Sequence, residues 1–438
     1  MKCGFYELDI TPPLGSIIPG GFGARYADEI LDPLYARAMV MQTEGENIAV
    51  VVVDACGITM DITERIRRRV MERVPLKEQE IMVIATHSHG AGPTLNWGEE
   101  VVTDAAYLQN LIQKAADAIV NAWKRAKESE LFVGKEELSD MSYIRVYKMK
   151  DGSLLTNPDP NTLTDQIQEP SSTIDPSVLV LAIKQEGKYV GAMVNYANHP
   201  AIVYSNMVTG DYISILSAER KRHFGPEFVT IFVNGACGNI NHLNPYDLTT
   251  YKWEQYRKVG KSLAEKVKAA MENVTPVDGQ VHAACKDIFV RFRKPTPEML
   301  LNAQKVFADL GDELIESRPG QANYTDTFFA LQTFWVQADK RTQRKVALQV
   351  FKIGPCSLIG TPCQMFVEFG KKIKAACGEY CFVAAFANDY CGYVPTEECM
   401  REGVYEARLA FTSGLEPAAG NLVSDAAIEL YKQCGNNS

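Results

Sequence analysis

Three apolar segments of this chain run directly toward a histidine, and this recurrence constrains the fold more than any other feature of the sequence. The segments are Ile81-Met-Val-Ile-Ala-Thr-His87-Ser-His89, the run that ends in Asn195-Tyr-Ala-Asn-His199, and residues 228–234, which lead through a glycine-containing turn to His242. Functional side chains are often placed just after the elements of a rigid scaffold. The recurrence therefore predicts a site built from several strand ends, and it favours a metal there.

His87 and His89 form the first candidate pair. Because residues two apart in an extended chain point to the same face, both imidazoles are expected to face one pocket at the end of their strand. The small residues that follow, Gly90-Ala-Gly-Pro93, leave room for a substrate. The alternative is that one histidine is a hydrogen-bonded core residue and the other faces solvent, and the spacing alone is compatible with both.

The order of the predicted elements favours an α/β fold. A strand over residues 48–54 is followed by a helix with a capping-box-like start at Asp61 and Glu64. The His87 strand is then followed by an amphipathic helix over residues 103–127. Alternating strands and helices are typical of an α/β core.

The second half of the chain continues this mixture without a linker or internal repeat that would mark a domain boundary. Residues 178–185 and 189–196 predict a β-hairpin through Glu186-Gly187. Further helices are predicted over residues 212–223, 250–273, 296–316 and 322–345, and further strands over residues 347–353, 356–360 and 381–387.

Composition excludes several classes of partner. The 438 residues carry a formal net charge of -9 without an extended Lys/Arg-rich block, so no nucleic-acid partner is expected. The one basic cluster, Arg65 with residues 67–69, is expected on the solvent side of an amphipathic helix. No run approaches 18 apolar residues, which predicts no integral membrane segment. The 11 cysteines include no Cys-x-x-Cys pair and suggest a reducing, cytoplasmic setting.

Several motifs coincide in order along the chain. They are Asp9-Ile-Thr-Pro-Pro, Ala85-Thr-His-Ser-His, Ala197-Asn-His-Pro, Asn234-Gly-Ala-Cys-Gly, Thr361-Pro-Cys-Gln, and Tyr393 with Tyr405. Together they resemble the catalytic domain of the neutral/alkaline, non-lysosomal ceramidase family. The resemblance implies a single large α/β domain over residues 1–438, with central β-sheets flanked by helices and without the C-terminal immunoglobulin-like domain of the secreted ceramidases.

The resemblance also implies a zinc site and a set of substrate contacts. It makes His87, His199 and Tyr393 metal ligands, and it places Gln364 at the position of a glutamate ligand. His89, Arg145 and Tyr405 resemble residues that contact the substrate or the reacting amide. Asn241 stands at the position of a serine linked to ceramide hydrolysis. Taken without the resemblance, Arg145 can point inward to an acid or carboxylate, or outward from a half-exposed strand.

Two departures from the family pattern make ceramide an unexpected substrate. Pro362-Cys363-Gln364 replaces Pro-Gly-Glu, so a neutral amide stands where the family has a carboxylate. Residues 238–242 replace Gly-Asp-x-Ser-Pro and lack the serine. Three residues are candidates to compensate, each with a simpler alternative: Glu368 as a surface acid, Asp211 as a helix cap, and His242 as a loop residue.

These observations support a zinc-dependent hydrolase that cleaves an amide bond in a small or polar N-acyl compound. In this hypothesis zinc would activate water for attack on the carbonyl, and the substrate-contacting residues would stabilise the oxyanion. The alternative is a family member that binds a small ligand in the same pocket without turning it over. The sequence predicts no particular oligomeric state.

Overall fold

The computed structural model describes residues 1–97, 101–310 and 324–435. Three larger β-sheets form its centre. In spatial order, the first sheet contains Ile81–Ala85, Ile48–Val53, Tyr35–Gln42, Lys2–Asp9 and Lys127–Glu128. The second contains Val229–Asn234, Lys188–Tyr196, Ser177–Gln185, Glu130–Glu137 and Thr275–Val277. The third contains Val281–Arg291, Gln343–Ile353, Cys356–Gly360 and Tyr380–Ala384.

Short strands form small additional ladders around these sheets. They are Ile17–Ile18, Arg25–Tyr26, Glu29–Ile30, Tyr143–Ile144, Val146–Met149, Leu154–Thr156, Ile167–Pro170, Met207–Val208, Ile240–Asn241, Gln364–Met365 and Tyr393–Val394. The α-helices are α1 Met60–Met71, α2 Ala105–Lys124, α3 Tyr212–Phe224, α4 Gln255–Glu272, α5 Pro297–Leu310, α6 Tyr324–Ala338, α7 Val367–Cys377, α8 Glu397–Glu402 and α9 Ala419–Gln433.

The three sheets share one apolar core and carry helices on their outer faces. Val50, Met193 and Phe382, one from each sheet, belong to a single buried cluster between the sheets. On the outside, α1 and α2 cover the first sheet, α3 and α4 the second, and α7 and α9 the third. The predicted α/β class, with central sheets flanked by helices, is therefore confirmed.

Each large sheet contains one parallel pair of strands, and the carboxyl ends of these pairs meet. The pairs are Ile48–Val53 with Ile81–Ala85, Lys188–Tyr196 with Val229–Asn234, and Cys356–Gly360 with Tyr380–Ala384. Three hydrogen bonds link them in a ring: Ala85 N donates to Phe386 O at 3.0 Å, Ala385 N to Asn234 O at 3.1 Å, and Asn234 Nδ2 to Thr86 O at 3.1 Å. The loops that leave all three sheets are thereby brought to one place.

The helix ends follow local capping chemistry. Thr59, rather than Asp61, caps α1, because its hydroxyl accepts a hydrogen bond from Ile62 N. Asp104 caps α2 by accepting from Tyr107 N. Both helices therefore begin within about two residues of the predicted positions.

Two other expectations need correction. Arg67 of α1 is buried rather than solvated, and its guanidinium donates to Ile81 O and Gln349 Oε1, both at 3.1 Å. Helix α6 ends at Ala338 instead of near residue 345, because a strand of 11 residues begins at Gln343. The end of the predicted helix over residues 296–316 lies outside the described residues.

One long strand is absent from the predicted elements. Val281–Arg291 pairs with Gln343–Ile353 along its whole length, but only its two positions Val281 and Val290 are buried. A strand so little buried lacks the apolar run or clean alternation by which strands are recognised. Among the described helices, none combines the length and apolarity that a membrane span requires.

Candidate active site

A cavity of about 350 Å³ lies where the three parallel strand pairs end. His87 follows the first sheet, His199 the second and Gln364 the third. The eight residues to which the resemblance assigns a metal or substrate role all line this cavity: His87, His89, Arg145, His199, Asn241, Gln364, Tyr393 and Tyr405. The fold thus gathers residues that are far apart in the chain, and their individual roles remain predictions.

His87 reaches the cavity through an unusual backbone conformation. Its φ angle is +69°, so the strand has already ended at Ala85 and the expected extended alternation does not apply. Its Nδ1 lies 2.6 Å from Cys56 O, and its ring stacks on Phe386 with centroids 4.1 Å apart. These contacts fix the ring so that Nε2 faces the cavity.

The other two histidines are oriented in the same way. Nδ1 of His89 lies 2.9 Å from Gly20 O, and Nδ1 of His199 lies 3.3 Å from Cys237 O. A carbonyl oxygen can only accept, so each Nδ1 carries the proton and each Nε2 offers a lone pair. Holding the ring through the second nitrogen is typical of histidines that bind metals.

The three Nε2 atoms converge in a nearly equilateral triangle. The separations are 3.2 Å between His87 and His199, 3.2 Å between His89 and His199, and 3.4 Å between His87 and His89. Zn–N bonds of about 2.0–2.1 Å in tetrahedral coordination require nitrogen atoms roughly 3.3–3.4 Å apart. Three lone pairs at this spacing repel one another without a cation, so the residues fit a zinc ion.

Burial keeps these imidazoles uncharged. It lowers the pKa of His87 to about 3, and it is the main reason why the pKa values of His89 and His199 lie well below the ordinary value. Repulsion from the neighbouring His87 and from arginine side chains lowers the last two further. Neutral rings at pH 7 are the form that binds a metal.

Gln364 borders the triangle. Its Nε2 lies 3.0 Å from His87 Nε2, and its Oε1 accepts from the Tyr390 hydroxyl at 2.8 Å. A half-turn of the amide exchanges these two atoms without moving any other group, and the Tyr390 hydroxyl can then accept instead of donate. One orientation gives the imidazole a hydrogen-bond donor, and the other gives a metal an oxygen ligand.

Arg145 points inward, toward Glu406. Its Nε lies 2.6 Å from Glu406 Oε1, and both side chains are almost completely buried. Its Nη2 donates to Gly238 O at 2.6 Å and to the Tyr393 hydroxyl at 3.0 Å. Burial alone would lower the pKa of Arg145, but Tyr393 and Glu406 raise it above the usual range, so the guanidinium stays charged.

Glu406 is the residue of this group that the sequence does not reveal. Its other carboxylate oxygen, Oε2, accepts a hydrogen bond from the Thr156 hydroxyl at 2.7 Å. It lies more than 250 residues from Arg145 along the chain, and adjacency to Tyr405 is its only signal. Residue type and spacing alone do not identify such a partner.

Tyr393 and Tyr405, the two tyrosines predicted to belong to the site, are neighbours. Their ring centroids are 6.5 Å apart, and both line the cavity. Burial raises the pKa of Tyr393, although the neighbouring Arg145 lowers it. Tyr405 is 37% exposed, but desolvation of its hydroxyl in the cavity raises its pKa, so it stays a phenol at neutral pH and can donate a hydrogen bond.

A glycine loop positions His89. Gly20 has a φ of +102°, and a Cβ at this position would lie 2.5 Å from His89 Nδ1. Arg25 holds the same loop, because its Nη2 donates to Pro19 O at 2.8 Å and to His89 O at 2.6 Å. The guanidinium also stacks on Tyr204, 4.2 Å from the ring centroid.

Asn241 also lines the cavity. Its Nδ2 donates to Asn157 Oδ1 at 2.9 Å, and its Oδ1 accepts from Leu243 N at 3.0 Å. The amide is thus held by neighbours within the wall. An amide is not a nucleophile, and its contribution is limited to hydrogen bonding.

The three compensating candidates are placed differently. Glu368 accepts from Asn239 Nδ2 at 3.1 Å. Asp211 caps α3 and accepts from Tyr212 N at 2.7 Å. His242 lines the cavity. Glu368 and Asp211 are thus engaged by other groups, while His242 remains available to a ligand.

Cys56 is a further potential ligand near two of the histidines. Its Sγ lies within 4.8 Å of a ring nitrogen of each of His87 and His89. Burial raises the pKa of the thiol, which disfavours the thiolate that binds metals. The sulfur lies 3.9 Å from His87 Nδ1, the ring nitrogen that does not belong to the triangle. The three histidines therefore form the better metal site.

Comparisons with known proteins agree with this architecture. The model of the neutral/alkaline non-lysosomal ceramidase N-terminal family matches residues 2–298. The crystal structure of neutral ceramidase from Pseudomonas aeruginosa has a TM-score of 0.74 and 18% identity, covering 98% of this chain and 74% of that one. A structure described as ceramidase complexed with C2 has a TM-score of 0.73 and 16% identity, with the same coverage. At these identities the likeness shows the fold alone, and no curated protein sequence matches the chain.

Proposed function

The chain belongs to the neutral/alkaline non-lysosomal ceramidase family and is a hydrolase related to the ceramidases, and from this premise we propose that it is a zinc-dependent enzyme that cleaves an amide bond in a small N-acyl compound other than ceramide. The observation that carries the proposal is the triangle of Nε2 atoms from His87, His89 and His199.

The proposed metal ligands combine the resemblance with the geometry. His87 and His199 are ligands implied by the resemblance and are also members of the Nε2 triangle. His89, expected from the resemblance to contact substrate, completes the triangle and is proposed as the third nitrogen ligand. Gln364, whose amide lies 3.0 Å from His87 Nε2, and Tyr393, which lines the same cavity, are proposed to offer a further oxygen ligand. When bound, zinc polarises a carbonyl and lowers the pKa of a coordinated water to about 7.

The surrounding residues are proposed to orient the amide and stabilise the charge that develops on its oxygen. The Tyr405 phenol lines the cavity and can donate a hydrogen bond to the carbonyl oxygen. Arg145 supplies a fixed positive charge, since Glu406 and Gly238 O hold its guanidinium. Donors fixed before the reaction begins stabilise an oxyanion without the cost of reorganisation.

Two features favour a substrate smaller than ceramide. The cavity volume of about 350 Å³ is near the lower end of the range of about 300–1,000 Å³ found for small-molecule sites. Asn241 occupies the position of the serine linked to ceramide hydrolysis, and its amide is held by Asn157 and Leu243. The proposed substrate class is therefore a compact N-acyl compound.

The proposal also covers the cellular compartment and the domain organisation. The 11 cysteines are free, and ten of them are buried, which is typical of proteins from a reducing compartment such as the cytoplasm. The three sheets share one core, which favours a single catalytic domain for the described residues.

A second function is supported by the position of Gln364. With its amide nitrogen 3.0 Å from His87 Nε2, the side chain can satisfy that imidazole without a metal. In this state the cavity is a binding site for a small ligand without turnover. The two functions differ in whether the protein needs a metal for any activity.

The experiment that tests the proposal is hydrolysis of a panel of short N-acyl amines, measured by release of the free amine. We expect release by the zinc-loaded protein, loss after removal of metal with a chelator, and recovery when zinc is returned. Equal hydrolysis by the fully chelated protein would contradict the metal-dependent mechanism, and binding without release would support the second function.

A further inference from the structure

The cavity beside the three histidines has no negative charge among its described lining residues. None of them is an aspartate or a glutamate, and Arg145 is the only arginine or lysine. Gln364 stands where the family motif has a glutamate, so this departure removes a carboxylate from the cavity. A cavity lined by charge of one sign attracts ligands of the opposite sign.

Arg145 is open to an anion although it is paired with Glu406. Its Nε faces Glu406, and its Nη2 donates to Gly238 O and to the Tyr393 hydroxyl. Its Nη1 makes no hydrogen bond to a described residue. The unpaired nitrogens of the described chain that lack accessible surface include Nε of Arg145 but not Nη1. Nη1 therefore remains accessible to a ligand in the cavity that Arg145 lines.

A second guanidinium adds positive charge next to the cavity. Arg25 donates to three backbone carbonyl oxygens and forms no ion pair with any described acid. It stacks on Tyr204, which lines the cavity. Glu406 balances the charge of Arg145 but not that of Arg25. This surplus positive charge is present before any metal binds, and it favours an anionic ligand.

The polar and apolar parts of the lining indicate which portion of a substrate carries the anion. Asn157 N donates to Arg145 O at 2.7 Å, and Asn241 Nδ2 donates to Asn157 Oδ1 at 2.9 Å, so these lining residues form one continuous polar patch. Phe22 and Phe328 also line the cavity, and their rings stack with centroids 4.1 Å apart. An acyl chain matches the aromatic rings, which leaves the charged group to the amine portion.

We propose that the protein selects an N-acyl compound with a carboxylate on its amine portion, as in an N-acyl amino acid, and that Nη1 of Arg145 binds this carboxylate. The proposal rests on the proposed hydrolase function and deepens it, because it names the charge and the class of the substrate. Nη2 of the same guanidinium contacts Tyr393, a proposed metal ligand, so a carboxylate at Nη1 would lie close to the scissile amide. The Tyr405 hydroxyl remains free to bind the carbonyl oxygen.

Two compounds of nearly equal size that differ in charge test the proposal. N-hexanoylglycine is anionic at pH 7, and N-hexanoylglycinamide is neutral. Because a hydrogen bond to a carboxylate is stronger than one to an amide, we expect kcat/KM of the zinc-loaded protein to be about tenfold or more higher for the anion. Calorimetry with the metal-free protein should show the same order of dissociation constants, and there the carboxylate gains nothing from zinc.

Charge changes within the cavity supply the variants. Replacing both members of the buried pair, Arg145→Gln with Glu406→Gln, leaves no unpaired buried charge and should remove the preference for the anion. Gln364→Glu adds a carboxylate to the lining and should reduce the preference. Gln332→Glu, at a buried glutamine outside the cavity lining, is the control and should leave the preference unchanged.

The outcomes separate this inference from the hydrolase proposal. If neither compound is hydrolysed, tighter binding of the anion by the metal-free wild-type protein and not by the double variant would support Arg145 while contradicting the hydrolase. Hydrolysis of both compounds with equal kcat/KM and equal affinity would support the hydrolase and overturn the charge selection. Tighter binding of the amide, no binding of either compound, or a full preference in the folded double variant would overturn it as well. Should the double variant not fold, the wild-type comparison and Gln364→Glu decide.

Discussion

The Nε2 atoms of His87 and His199 lie 3.2 Å apart, although the two residues come from different sheets and are 112 positions apart in the chain. In each ring Nδ1 donates a hydrogen bond to a backbone carbonyl, Cys56 O for His87 and Cys237 O for His199. The rings therefore present lone pairs toward each other, an arrangement that favours a cation between them. The following predictions depend on that relationship.

Replacing Gln364 by glutamate should tighten zinc binding. A carboxylate is a stronger ligand than an amide and neutralises part of the metal's charge, so we expect the dissociation constant for zinc to fall by at least about tenfold. Competition with a chelator of known affinity measures the change. Gln332→Glu, also at a buried glutamine, is the control and should leave zinc affinity unchanged if the variant folds. Unchanged affinity in Gln364→Glu would exclude this residue as a ligand.

Gly20→Ala should weaken zinc binding by displacing His89. The new Cβ would lie 2.5 Å from His89 Nδ1 at a φ of +102°, so either the loop or the imidazole must move. We expect at least about a tenfold loss of zinc affinity.

Gly15→Ala is the matched control for this substitution. Gly15 also has a positive φ, +84°, but its Cβ would meet nothing within 4 Å. The control should lose about 1 kcal/mol of stability and no zinc affinity. Equal zinc affinity in both variants would argue against His89 as a ligand.

Breaking the ion pair of Arg145 should destabilise the protein. Glu406→Gln leaves a buried guanidinium without its counter-charge, and breaking a buried pair typically costs about 3–5 kcal/mol. Urea denaturation measures the free energy of unfolding. Glu219→Gln breaks a pair with the exposed Arg222 and should cost less than about 1 kcal/mol. Similar losses of unfolding free energy in the two variants would show that the buried Arg145 pair stabilises the protein no more than an exposed pair does.

The metal-free protein should lose stability as the pH falls below 6.5. The pKa of His87 is lowered to about 3 in the folded state, so below pH 6.5 the unfolded chain binds a proton that the folded chain does not. Stability therefore rises with pH, and between about pH 6.5 and 3 this histidine contributes up to about 1.4 kcal/mol per pH unit.

Urea denaturation of chelated protein at several pH values measures this slope. His87→Gln should reduce the slope, whereas a change at the exposed His223 should not. A slope that is the same in His87→Gln and in the wild-type protein would contradict a neutral, buried His87.

The sequence predicts the fold class and a site built from several strand ends, but it does not predict the geometry of that site. The apolar runs before His87 and His199 predict strands, and both strands are present and end at the cavity. The reason offered for His87 and His89 facing one pocket is wrong, because His87 has a φ of +69° and is not extended. Such a conformation is set by tertiary contacts, here Cys56 O and Phe386, which local spacing does not encode.

Long-range partners explain the other differences. The inward direction of Arg145 depends on Glu406, which belongs to another part of the chain. The burial of Arg67 depends on Gln349 and on the carbonyl of Ile81. Strand periodicity was compatible with two directions for Arg145, whereas helix periodicity predicted the solvent side for Arg67. In both cases a partner from a distant part of the chain determines the direction that the structure shows.

The zinc content of the purified protein, determined by elemental analysis, tests the central claim most directly. We predict close to one zinc per chain in the wild-type protein and in the His223→Ala control, and almost none in folded His87→Ala, because that variant removes one vertex of the Nε2 triangle. A wild-type protein that takes up no metal even when zinc is supplied, or a His87→Ala variant that retains it fully, would contradict the account.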